Sequence, residues 1–336
     1  MTLTVSVTPR QYSGAAYRLL ARLAHRGNVE AEKRRTGFMK AATFEYCRAG
    51  DIDEACALLA ADENARVIAG GQTLVPMMAM RLARPSRLID INRIAALAYI
   101  RQEPHKDGGA VSIGATTRQC VIERDALIAA RLPLLAKAMP HIGHAATRAR
   151  GTIGGSLANA DPAAELALVA VTLDAVVTFR GPGKTGEIGA KDFFTGAMTT
   201  ALPEGACLAS VRFPVWQGRV GTGFHEVNAR RSDFAFVSAA AQVELGDDGK
   251  ARRVAIGVGA ATEVPLRLDS AEKQLAGGAL EADAVRDAVR AALADVEPMS
   301  DAHASADYRR RAALTLALRA VADARASALM EKSRAH

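Results

Sequence analysis

Aromatic side chains make up only 4% of the 336 residues. A surface built to stack nucleic-acid bases needs more of them. The four cysteines, Cys47, Cys56, Cys120 and Cys207, form no C-x-x-C pair and no four-cysteine spacing of the kind that holds zinc or an iron–sulfur cluster. They read as small buried residues of a reduced, cytoplasmic protein. No stretch reaches the ~18 uninterrupted apolar residues of a membrane-spanning helix. No secretory h-region follows the N-terminus. At most, the chain reaches a membrane through a complex. An evenly basic face is also missing. The net charge is +7, but residues 1–38 hold seven Lys/Arg against two Asp/Glu, so most of the excess sits in one tail. Nothing here makes a case for nucleic-acid binding.

That tail differs from the rest. Ala16, Leu19, Leu20 and Leu23 fall on one helical face, and Arg18, Arg22 and Arg26 on another. An interfacial helix or a targeting segment would look like this. The simpler expectation is a poorly ordered extension over 1–38, or else a natural start at Met39. From there the chain is long enough for two domains. A helix is expected at 51–60, a strand at 65–69, a helix at 74–82 and strands at 88–91 and 111–113. A helix over 122–139, in two pieces around Pro133, comes next. Strands follow at 175–179 and 208–213, with a loop at 181–189. A shift in composition over 215–223 suggests a domain boundary. Beyond it, strands at 236–245 and 254–259 flank Gly246-Asp-Asp-Gly249, a hairpin signal. Helices are expected at 269–276, 281–294 and 305–329.

Two glycine turns are the chemically informative stretches. Ala69-Gly-Gly-Gln-Thr73 ends an apolar run, and Gly151-Thr-Ile-Gly-Gly-Ser156 precedes an apolar helix expected at 163–173. Asp161 reads as that helix's N-cap and Pro162 as its first residue. Neither turn has the G-x-G-x-x-G or G-x-x-x-x-G-K-[ST] order. Each combines adjacent glycines with a hydroxyl residue, Thr73 or Ser156. Two such loops could hold the two phosphates of one dinucleotide on backbone N–H groups, with no lysine required. Read alone, each is equally well a tight turn before a buried helix.

The stretches Ala69 to Pro76, Arg81 to Asn92 and Gly151 to Glu165 closely resemble the FAD-binding medium subunit of molybdenum hydroxylases, the carbon monoxide dehydrogenase and xanthine dehydrogenase group. The likeness continues through Asp192-Phe-Phe-Thr-Gly196, Leu208 to Pro214, Arg230-Arg-Ser-Asp-Phe-Ala235 and Asp307-Tyr-Arg-Arg310, covering about residues 39–325. The resemblance implies an α+β chain. A two-part FAD-binding domain of the vanillyl-alcohol-oxidase (PCMH-type) fold would cover 39–216, with subdomains of about 39–92 and 93–216. A small α+β C-terminal domain would cover 217–329.

It also implies residue roles. Ala69, Gly70, Gly71, Gln72 and Thr73 would form one pyrophosphate loop. Thr152, Ile153, Gly154, Gly155 and Ser156 would form the other. Glu165 would hydrogen-bond FAD through its ribityl hydroxyls, Asn159 would add a polar contact, and Leu208 would lie against the flavin or adenine. After Phe224, relatives often carry a lysine that reaches the cofactor. This chain has His225-Glu226, and His225 is taken as the counterpart. The expected function is electron transfer within a heterotrimer. A large partner subunit would hold the molybdenum cofactor and substrate, and a small one two [2Fe–2S] clusters, likewise by resemblance. A dimer of heterotrimers is the expected assembly.

No acid–base catalyst and no metal ligand are assigned to this chain. His141 and His144 form an H-x-x-H pair without a third ligand nearby, and Asp233 has no partner in sequence, so all three are read as structural. Two other readings stand beside this one. One is a self-sufficient FAD oxidoreductase of the same fold, which would need its own acid and substrate residues. The other is an assembly subunit that has lost its flavin, against which the intact glycine loops argue.

Overall fold

The structure, a computed structural model, describes residues 40–106 and 108–334. The N-terminal extension therefore lies outside the described residues. The described residues divide into two units, 40–43 with 75–84, and 44–74 with the described residues from 85 to 334.

The larger unit opens with a parallel sheet of β1 (Glu45–Arg48), β2 (Arg66–Ile68) and β3 (Arg87–Asp90), in the order β1-β3-β2. Helix α1 (Ile52–Ala60) joins β1 to β2. It starts where the Asp51 carboxylate accepts from the Glu54 N–H at 2.8 Å. Ala55, Cys56 and Ile89 close a small core between helix and sheet. The smaller unit contains α2 (Leu74–Ala79) from Val75 onward. There, Arg81 Nε donates to the Lys40 carbonyl at 3.0 Å.

The second sheet is antiparallel and five-stranded. It contains β4 (Ile100–Glu103), β5 (Ala110–Gly114), β6 (Val176–Gly181), β7 (Lys184–Gly189) and β10 (Cys207–Pro214), in the order β4-β5-β10-β6-β7. The expected loop at 181–189 is instead the second arm of a hairpin. Pro182-Gly183 makes the turn, with Gly183 at φ +69°, a conformation that suits the third position of a type II turn.

The helical layer is more broken than expected. Asp125 and Pro133 cut it into α3 (Gln119–Arg124), α4 (Ala126–Arg131) and α5 (Pro133–Ala138), with Asp125 Oδ1 accepting from the Ile128 N–H at 3.0 Å. Next come α6 (Ala145–Arg150), α7 (Ile153–Asn159) and α8 (Glu165–Thr172). Every residue of α8 is buried, as an all-round apolar helix requires. Leu168 and Thr172 lie against Gly257 of the next sheet. Short elements α9 (Ala190–Phe193), β8 (Phe194–Gly196) and β9 (Thr199–Thr200) complete this part.

A third, antiparallel sheet runs β11 (Arg219–Val227), β12 (Val237–Leu245), β13 (Ala251–Gly259), β14 (Leu266–Arg267). It packs with α10 (Asp269–Leu275), α11 (Ala282–Ala292) and α12 (Ala306–Arg334) around a separate core of Val237, Val243, Ile256, Val289 and Ala317. The C-terminal strands and helices fall within a few residues of expectation. Strand β11, however, occupies part of the stretch read as a boundary. Its odd residues face α12, where a side chain at Gly221 or Gly223 would meet the Ala324 or Ala320 carbonyl. Among the described residues no helix is long and apolar enough to cross a membrane.

Candidate functional site

The first glycine loop leaves β2 at Ile68. Asn92 Nδ2 donates to the Ala69 carbonyl at 2.8 Å, and Gln72 Nε2 donates to the Gly70 carbonyl at 3.3 Å. Gly71 adopts φ +70°, which only glycine takes without strain. The backbone N–H groups of Gly70, Gly71, Gln72 and Thr73 find no acceptor among the described residues. Gln72 and Thr73 are exposed.

The second stretch is built differently from the turn expected. Thr152 is the N-cap of α7, its hydroxyl accepting from the Gly155 N–H at 3.1 Å. The helix's other leading N–H groups are also occupied. Ile153 donates to the Thr117 carbonyl at 3.2 Å and Gly154 to the Ala115 carbonyl at 2.9 Å. A Cβ at Gly154 would stand 2.6 Å from that of Ala115, so glycine is what lets the helix end rest on the chain leaving β5. Gly155 remains exposed and Ser156 half-buried. The helix stops at Ala160, in the left-handed region at φ +49°.

The following helix also starts later than expected. Asp161 accepts from the Ala163 N–H at 2.9 Å in a local turn, and α8 begins at Glu165 behind Ala164, which has no side-chain cap. Asp161 therefore does not cap α8. Burial pushes its carboxyl above the ordinary range.

The two loops, far apart in sequence, meet. A Cβ on Gly70 would fall 2.5 Å from the Arg150 carbonyl oxygen and 2.8 Å from Gly151 Cα. Such an approach is open to glycine and to no other residue without movement.

Glu165, 9% exposed, lies at the start of the buried α8. Burial pushes its carboxyl from 4.5 to about 7. Its own N–H and the His141 charge pull the other way, while Glu226 and Asp161 push with burial. Glu226 is the group sequence reasoning missed. Its Oε1 stands 3.2 Å from His141 Nδ1 and accepts from Asn228 Nδ2 at 2.9 Å. Its Oε2 is buried without a partner. Strand alternation accounts for this placement. Phe224 and Glu226 share one face of β11, where the His141 ring lies 4.8 Å from that of Phe224. His225 points to the other face and pairs with Asp323 of α12 at 2.9 Å. The structure thus sets His225 away from the Glu165 cluster.

Leu208 is buried in β10 beside a register shift against β6. Asn159 Nδ2 faces Met198 Sδ at 3.8 Å. His141 ends a 3-10 turn and His144 precedes α6, so the two share no helical face. Asp233 closes a turn with Arg230. Of the cysteines, Cys56 and Cys207 are buried, whereas Cys47 and Cys120 are only partly so.

A parallel three-stranded unit, a five-stranded antiparallel sheet with glycine loops meeting between them, and a separate sheet-and-helix domain define a flavoprotein-type architecture. Comparison with known proteins narrows the class. Residues 42–216 match the family described as FAD binding domain in molybdopterin dehydrogenase, and residues 222–324 match the CO dehydrogenase flavoprotein C-terminal domain. The alpha subunit of the 6-hydroxypseudooxynicotine dehydrogenase complex of Paenarthrobacter nicotinovorans is 36% identical over 287 residues, 85% of this chain and 96% of that protein. The carbon monoxide dehydrogenase medium chain of Afipia carboxidovorans is 36% identical over 287 residues, 85% and 98% of the two chains. The crystal structure of quinoline 2-oxidoreductase from Pseudomonas putida 86 superposes with a TM-score of 0.81 at 33% identity, covering 86% of this chain and 99% of the other. The chain belongs to the family of FAD-binding medium subunits of molybdenum hydroxylases, and it is an oxidoreductase subunit whose cofactor is FAD.

Proposed function

We propose that this chain conducts electrons between an iron–sulfur partner subunit and an external acceptor, within a heterotrimer whose large subunit binds the molybdenum cofactor and the substrate. The observation that carries the reading is the meeting of the two glycine loops at Gly70 and Gly151. Ala69 to Thr73 offers a run of unpaired backbone N–H groups to a pyrophosphate. Thr152 to Ser156 offers the half-buried Ser156 hydroxyl beside the exposed Gly155. Glu165 and Asn159 supply polar groups for the ribityl chain, and Leu208 supplies an apolar wall. His225, engaged with Asp323, stays outside this set. The chemistry that bound FAD supplies is electron exchange in single or paired steps, and the protein contributes binding, orientation and electrostatics.

The relatives' names support leaving the substrate to a partner. They range over carbon monoxide, caffeine and glyceraldehyde, while each relative aligns along nearly its whole length with this chain. Names such as "complex subunit alpha" and "medium chain" support a multi-subunit assembly, for which a dimer of heterotrimers is the arrangement proposed.

The test is to purify the chain alone and with co-expressed partner subunits. The lone chain is expected to absorb near ~450 nm, a property of the flavin, and to turn over no organic substrate until its partners are added. A lone chain that oxidises an organic substrate, or that stays colourless with added FAD, overturns the proposal.

A further inference from the structure

The end of α7 cannot meet the charge of a pyrophosphate with the N–H groups of its first turn. Those of Ile153, Gly154 and Gly155 are already given to Thr117, Ala115 and Thr152. A dianion held between the two loops therefore needs another source of positive charge. We propose that Arg118 is that source: its guanidinium meets the pyrophosphate of FAD, and with Asn92 it sets the spacing of the two loops. The proposal rests on the FAD reading above and adds a residue to it.

Arg118 lies directly across from Thr152 in an isolated antiparallel bridge. Its Nη1 donates to the Arg150 carbonyl of the second loop, and its Nη2 to Asn92 Oδ1 at 2.6 Å. Asn92 Nδ2 in turn donates to the Ala69 carbonyl of the first loop at 2.8 Å. One hydrogen-bonded path thus joins the loops, and Asn92 is itself oriented by Asp90 Oδ1 at 2.7 Å. Both acceptors of Arg118 are neutral, and its other N–H groups find no acceptor among the described residues.

The charge balance argues the same way. No carboxylate of the described residues lies within ion-pair distance of Arg118. Asp90, the acid that acts on it from farther off, is engaged by Tyr46, Asn92 and Arg48. Nearby Arg148 shows the contrast, held by both oxygens of Glu123 at 2.8 and 3.0 Å. Partial burial and the charge of Arg150 both push the Arg118 value down. Two like charges thus stand at the junction of two glycine loops without an acid to balance them, the setting a planar, multidentate donor needs to bind phosphate.

The experiment titrates the full chain with FAD, ADP and riboflavin by calorimetry at several salt concentrations. Wild type is compared with Arg118→Gln, Arg118→Lys and Asn92→Ala, and thermal melts report folding. Arg118→Gln is expected to weaken FAD and ADP about tenfold or more, which corresponds to about 1.4 kcal/mol. It should leave riboflavin unchanged and flatten the salt dependence of ADP binding. Arg118→Lys should retain the salt dependence while losing part of the affinity, because lysine keeps the charge and not the fork. Asn92→Ala should weaken FAD less than Arg118→Gln does. If Arg118→Gln binds FAD and ADP like wild type, or loses riboflavin equally, the proposal is overturned while the FAD reading stands. Should that variant not fold, wild type decides: ADP affinity that does not change with salt overturns the proposal. A wild-type chain that binds no FAD overturns both readings.

Discussion

Replacing Glu165 by glutamine tests the electrostatics of the buried cluster directly. In the folded chain this carboxyl titrates at about 7 against an ordinary 4.5. The folded state therefore holds its proton more tightly than the unfolded state does. Its contribution to stability is complete below about pH 4.5, declines as the pH rises, and is lost above about pH 7. At about 1.4 kcal/mol for each pH unit, the total is about 3 kcal/mol. Glutamine keeps the shape, cannot ionise and escapes that loss. The assay is thermal or urea unfolding of the flavin-free chain from pH 5 to pH 8, because a bound hydroxyl would itself move the titration. Wild type and Glu165→Gln are expected to agree within a few tenths of a kcal/mol at pH 5. By pH 8 the variant should be more stable by up to ~3 kcal/mol. All other titrating groups are shared, so the difference between the two curves isolates this site. Parallel curves across the range would show that Glu165 is not desolvated as the fold implies, and the argument would fail.

Two further outcomes follow from packing. Gly70→Ala places a methyl group 2.5 Å from the Arg150 carbonyl. It should cost about 1–3 kcal/mol through overpacking and weaken FAD more than it lowers the melting temperature, as read by flavin titration beside melts. Arg309 is 3% exposed and donates to the Phe236 and Ala260 carbonyls, both at 2.5 Å, and to Asp301 at 2.7 Å. Arg309→Ala should lower stability by about 3–5 kcal/mol in urea unfolding, since it strands one buried and one partly buried carbonyl and a carboxylate.

The glycine loops were legible because close backbone approach leaves glycine as its only residue, and the sequence displays those residues openly. What it does not display is which N–H groups are already used. The seat of α7 on Ala115 and Thr117 is a contact across more than thirty residues, and no local pattern encodes it. Asp161 and Pro162 looked like a helix start, since both favour that position. Asp161 instead holds only a local turn at Ala163, and the helix begins three residues after Pro162, at Glu165. Pro182-Gly183 is a turn signal, but the polar, glycine-rich residues that follow it make the strand after it read as loop. Strand β11 was obscured by Gly221 and Gly223, which lower strand propensity and are present because α12 crosses there. Without that strand the alternation that pairs Glu226 with Phe224 is not visible in the sequence, and the resemblance singles out His225 as the counterpart of a lysine.

The two glycine loops differ in how they are held, and that difference governs how a ligand would settle between them. The Thr152–Ser156 side is fixed before anything binds, its leading N–H groups tied to Thr152, Ala115 and Thr117. The Ala69–Thr73 side is anchored through the Ala69 and Gly70 carbonyls and by Gly70 packing on Gly151, with Gln72 and Thr73 exposed. A ligand seated between the loops would therefore find its unengaged backbone donors on the first loop, at its exposed end Gln72-Thr73 above all. One lip would thus present a set shape, and any adjustment to a ligand would fall on the other, the Gly71 to Thr73 end of its loop.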